Sequence, residues 1–116
     1  MDAIVKQYLQ TYGISEAAQR FLSKAQKMFI GGAWVDGSDG ASAEVTEPST
    51  EGLLTHIPMG TVADLDRAVA AAREQFDGGE WSALKPAERE RLLQRLADLI
   101  ELNAHELAEI ESIDMG

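Results

Sequence analysis

His105 and Glu106 open like the H-E-x-x-H pattern of zinc proteases, where two imidazoles one helical turn apart hold the metal. The residue four after His105 is Glu109, so the second imidazole is missing and His105 reads as a surface residue in a first helical turn. His56 has no Ser or Cys beside it in a nucleophile setting and reads as structural. Asp64 and Asp66 have the spacing of an acid–base couple, but at the start of a helical pattern they fit charge favoured by the helix dipole better. Gly31-Gly32 is a weak phosphate cradle; inside MFIGGAWV it reads as a strand feature, a bulge or a close backbone neighbour. No G-x-G-x-x-G follows a strand, and no P-loop is present. With no Cys, thiolate catalysis, disulfides and Cys-type zinc sites are all absent from these residues.

Elements must position whatever these residues do. The 116 residues are 45% apolar, enough for a folded domain with a modest core. Twenty acidic residues against ten basic give a net charge of -10, which disfavours nucleic acid and anionic membrane as partners. No apolar run approaches the roughly 20 residues that span a bilayer, and the first residues have no signal or transit layout. These features fit a cytoplasmic protein.

The chain reads as an arm, a small β unit and an α run. In residues 1–27, Ile4, Val5, Tyr8, Leu9 and Tyr12 share one helical face, Gly13 stops that helix, and Ser15 caps a second. MFIGGAWV, from Met28 to Val35, reads as one strand; Ala43–Glu47 returns against it as a hairpin, and Leu53–Ile57 is a third strand. Thr61 with Asp64 forms a capping signal for an amphipathic helix bearing Val62, Leu65, Val69, Ala72 and Phe76, closed by Gly78-Gly79. Pro86 starts the next helix, with Leu92, Leu93, Leu96, Leu99 and Ile100 on its face, read as core in preference to a partner groove. Asn103 with Glu106 resembles a capping box for a last helix.

Four stretches then occur in a telling order: MFIGGAWVDG, EPSTEG, DLDRAVAAAREQFDGGEW and PAERERLLQRLADLIELNAHELAEIESIDMG. Together they resemble the start of NAD(P)-dependent aldehyde dehydrogenases, over residues 28–116. Glu47 stands where that family commonly has Asn before the proline, and Glu51-Gly52 where it commonly has Gly-Glu. The arm is similar to that of phenylacetaldehyde dehydrogenases.

The resemblance implies an α/β fold, with residues 28–116 as the first part of a Rossmann-like cofactor domain; the chain itself is expected to be mainly helical with a short antiparallel hairpin. Members are several times longer, so the ending ESIDMG is expected to be a break inside a shared segment. The implied reaction oxidises an aldehyde to a carboxylate with NAD or NADP. A Cys thiolate attacks the carbonyl, donors hold the oxyanion, hydride leaves to the nicotinamide, and a Glu-activated water releases the acyl group. The resemblance places those catalytic and nucleotide-binding groups in later sequence, so none falls on a residue here. It also implies a Na⁺ or K⁺ ion held by the backbone carbonyls of Val45 and Thr46 and the carboxylate of Asp114, oxygen ligands that suit a hard cation; in this chain alone the set is incomplete. The expected partner is the remainder of an aldehyde dehydrogenase, assembled as a homo-oligomer, dimer or tetramer. By itself the chain is expected to be inactive, its apolar faces left bare. Two other readings stay open: a non-catalytic binding or assembly module, and one half of a split enzyme.

Overall fold

Gly31 and Gly32 both take positive φ, 58° and 82°, and this pair decides the first β element. The computed structural model describes residues 1–116, in the order α1 (Ala3–Thr11), α2 (Glu16–Leu22), β1 (Met28–Ile30), β2 (Ala33–Val35), β3 (Ser42–Glu47), β4 (Gly52–Pro58), α3 (Val62–Asp77), α4 (Glu80–Ala83), α5 (Pro86–Leu102) and α6 (Ala104–Met115). MFIGGAWV is therefore two strands and not one. Two successive positive-φ residues make the tight turn that matches strand twist, so Met28 pairs with Val35, Phe29 with Trp34 and Ile30 with Ala33. The hairpin expected between this segment and Ala43–Glu47 does not form. β3 pairs antiparallel with β4 instead.

Two compact units partition the chain. One holds Met1–Gln26, Ser42–Pro58 and Asn103–Gly116; the other holds Lys27–Ala41 and Met59–Leu102. In the first, the two arm helices supply Val5, Leu9 and Leu22 to a core completed by Leu54 of β4 and Ile113 of α6. Val5 and Leu9 sit one turn apart on α1 and are fully buried. Burying each such side chain contributes roughly 1.5–3 kcal/mol. Gly13 (φ 67°) stops α1, and the Ser15 hydroxyl accepts from the Ala18 N–H to cap α2, both as the sequence predicts. Opposite Val45 stands Thr55 and opposite Thr46 stands Leu53, so Leu54 is an extra residue in β4. Such a bulge re-aims side chains, and Leu54 and Thr55 are both buried in consequence.

The outer edge of β4 is occupied by the arm. The Asp2 N–H donates to the Leu53 carbonyl (2.8 Å), and the Gln26 N–H donates to the His56 carbonyl (3.1 Å). The Leu53 N–H in turn donates to the Asp2 carboxylate at 3.0 Å.

In the second unit, α3 begins with a complete capping box between Thr61 and Asp64. Pro86 is the first residue of α5, as expected. The Asn103 box is not made: the Asn103 side chain forms no cap hydrogen bond. α5 ends at Leu102 and α6 starts at Ala104, so Asn103 is held at φ -106°, ψ 14° and lacks the extended backbone a capping residue adopts. The apolar stripe read as core is not buried in this chain. Leu92, Leu93, Leu96, Leu99 and Ile100 of α5 are all exposed, as are Val62, Leu65, Val69 and Phe76 of α3. No helix is long and apolar enough to cross a membrane.

Candidate functional site

The turn after β3 is organised by one buried carboxylate. Glu47 is fully buried, and it accepts from the Ser49 N–H (2.8 Å), the Thr50 N–H (2.7 Å) and the Thr50 hydroxyl (2.7 Å). Burial pushes its pKa up, but these donors, led by the Thr50 hydroxyl, outweigh burial and hold it below 4.5. A second oxygen lets Glu serve two backbone donors and a hydroxyl where the family pattern has Asn. The Glu51-Gly52 order also has a cause. Glu51 takes the left-handed conformation (φ 57°), while a Cβ on residue 52 would fall 2.6 Å from Val5 Cγ2 and 2.8 Å from Ile4 Cγ2. The glycine is needed where α1 presses on the turn.

The strand ending in this turn carries two of the predicted cation ligands. Leu53 directs both its backbone groups to Asp2, away from β3. Its partner Thr46 therefore belongs to a non-hydrogen-bonded pair, and its carbonyl points outward from β4. Val45 stands opposite Thr55 and packs against the core that holds Ile113. Asp114 follows Ile113 and is exposed. The end of α6 reaches the same turn, since a Cβ on Gly116 would lie 3.1 Å from Pro48 Cβ. Val45, Thr46 and Asp114 thus belong to one unit and to neighbouring elements. No cluster of three or more His, Cys, Asp or Glu side chains suited to a metal is present; a site here would depend on backbone carbonyls.

The remaining chemistry-bearing residues are structural. His56 lies 3.9 Å from Glu44, its cross-strand neighbour. His105 lies 3.4 Å from Glu109 on the exposed side of α6. Glu109 accepts from the Ser15 N–H at 2.9 Å and from the Ser15 hydroxyl. The Ser15 hydroxyl, then burial acting against it, then the Ser15 N–H set its pKa, on balance below the usual Glu value. The imidazole and the hydroxyl both reach the same oxygen, Glu109 Oε2, and the hydroxyl donates to that carboxylate and not to the imidazole, so Ser15 has no base set against it as a nucleophile. Asp64 is buried and does not form an acid–base couple with Asp66. Its carboxylate accepts from the Thr61 N–H (2.9 Å), the Ser38 N–H (3.1 Å) and the Arg67 guanidinium. Those two N–H donors outweigh burial and, with Arg67, hold its pKa far below the usual carboxylate range. A groove of about 530 Å³ beside Gly31-Gly32 runs along Ala68, Ala71 and Ala72 of α3, with Glu74 in its wall. No Lys or Arg lines it, and it lies away from the α3 N-terminus at Thr61, so phosphate has no donor charge there. Sequence reasoning missed Ser38, Glu109 and Asp2. Only the Thr61–Asp64 spacing left a local trace of any of these clusters.

The profile described as the aldehyde dehydrogenase family matches residues 34–116. The chain belongs to the aldehyde dehydrogenase family. Aldehyde dehydrogenase 1 of Tanacetum cinerariifolium is 45% identical over 93 residues, covering 80% of this chain and 19% of the relative. The cytosolic 10-formyltetrahydrofolate dehydrogenase of Xenopus laevis is 44% identical over 90 residues, covering 78% and 10%. The solved NAD+ complex of aldehyde dehydrogenase from Bacillus cereus superposes with a TM-score of 0.83 at 38% identity, covering 86% of this chain and 20% of that one. The chain spans about a tenth to a fifth of the length of such relatives. Its fold is the N-terminal part of the Rossmann-like α/β architecture of aldehyde dehydrogenases, here mainly helical with two small antiparallel sheets.

Proposed function

We propose that this chain is the N-terminal segment of an NAD-dependent aldehyde dehydrogenase that oxidises an aldehyde to a carboxylate. The observation that carries the reading is the superposition on a fifth of the NAD+-complexed Bacillus cereus enzyme. The exposed stripes of α3 and α5 support it, since faces of this apolar content are built to be covered by more protein. In this reading the segment is scaffold: it braces a cofactor domain, while the nucleophilic thiol, absent from these residues, the water-activating carboxylate and the nucleotide contacts come from the remainder of an assembled homo-oligomeric enzyme. The test is turnover of an aldehyde with NAD or NADP, followed by nicotinamide absorbance. The 116-residue chain should give none, and an enzyme joining this segment to the rest of a family member should be active. Turnover by the 116 residues alone would overturn the scaffold role.

A second element of the reading is a Na⁺ or K⁺ ion between the Val45 and Thr46 carbonyls and Asp114. The outward carbonyl of Thr46 and the approach of the α6 end to Pro48 favour it, as does the preference of hard cations for oxygen. In the complete enzyme, replacing K⁺ by a bulky organic cation should lower the melting temperature, and Asp114→Ala should abolish that dependence. Equal melting in both salts would remove the ion from the account.

A further inference from the structure

β4, Gly52 to Pro58, has little protection of its own beyond the bulge at Leu54 and the proline at its end. It carries no Asp, Glu, Lys or Arg, the residues that commonly blunt an exposed edge. Its outer edge offers the Leu53 N–H and carbonyl and the His56 carbonyl. All three are taken by the arm, at Asp2 and Gln26. We propose that residues Met1–Gln26 act as an edge guard, and that the face they close is one on which β4 of a second copy of this chain would otherwise pair. A second copy is the favoured occupant on two grounds. Antiparallel pairing of one edge with itself across a two-fold axis is self-complementary. And an uncharged strand meets no repulsion from its own copy, although the chain as a whole carries -10.

The guard can be lifted with little damage to α1. Asp2 precedes that helix at φ -74°, ψ 161°, and its side chain makes no cap hydrogen bond. Proline accepts that φ and removes both the N–H donor and the carboxylate. Hydrogen exchange at the Leu53 amide, read by NMR across a concentration series, reports on the edge alone. It is insensitive to association through the apolar helices. In the native chain the Leu53 amide should be protected equally at all concentrations. In Asp2→Pro it should exchange up to about tenfold faster when dilute, the loss of one hydrogen bond, and regain protection as sedimentation velocity shows dimer forming. Asp2→Ala removes the acceptor of the Leu53 N–H and keeps the Asp2 N–H on the Leu53 carbonyl, so if the proline variant does not fold it should give the same faster exchange with a weaker recovery at high concentration. An amide that stays exposed at every concentration overturns the proposal.

Discussion

Asp64 shows how one side chain can hold two segments together. It closes the capping box at the start of α3 and also takes the Ser38 N–H, 26 residues earlier. Its folded pKa lies below the ordinary 3.8. The stabilisation is therefore fully present above 3.8 and is lost as pH falls below that value towards the folded one. Thermal melts should show this as a drop in melting temperature below about pH 4, and Asp64→Asn should melt lower at neutral pH with a flatter acid limb. An unchanged acid limb in that variant would place the sensitivity elsewhere. The capping half of this cluster was legible, because Thr and Asp three residues apart is a local signal. The Ser38 half was not. Nor were Ser15–Glu109, 94 residues apart, or Asp2–Leu53, 51 apart, since no period or motif links residues that only the folded chain brings together.

Elements followed their periodicity closely where a helix was concerned. The Thr61 and Pro86 starts and the Gly13 stop all lie where helix-end chemistry puts them. The β region was harder. An apolar run interrupted by two glycines suits a bulged strand or a hairpin equally from composition, and the backbone angles alone choose the hairpin. The choice has a measurable cost. Asn tolerates the left-handed region and β-branched residues do not, so Gly31→Asn should be nearly neutral. Gly31→Val should destabilise by about 1–2 kcal/mol, read as the shift in urea midpoint. Equal midpoints for the two variants would contradict the turn. The candidate cation residues were reachable only through the family likeness. Two backbone carbonyls leave no mark in the identities of Val45 and Thr46.

At the scale of the molecule, the stripe on α5 separates the two jobs an apolar face can have. Its spacing predicts burial, and within these 116 residues Leu96 is 53% exposed. A charge placed there should leave the chain's own stability within about 0.5 kcal/mol, as for a surface position. It should also reduce dye binding by apolar patches and any association through that face. We expect Leu96→Glu to melt like the parent while sedimenting as a smaller species. A large fall in melting temperature would mean that the stripe is packed internally. Periodicity identified the face but was silent on its occupant, because a helix bears the same pattern whether its cover comes from the same 116 residues or from others.

The core of the first unit draws on three stretches of chain, and Ser15 meets Glu109 across 94 positions. On the ribosome this imposes a delay. At about 5–20 residues per second, roughly 5–19 s pass between the making of the arm and the arrival of the helix it packs on. Over that interval Val5, Leu9 and Leu22 have no Ile113 to meet, so a nascent chain should present them to chaperones until α6 emerges.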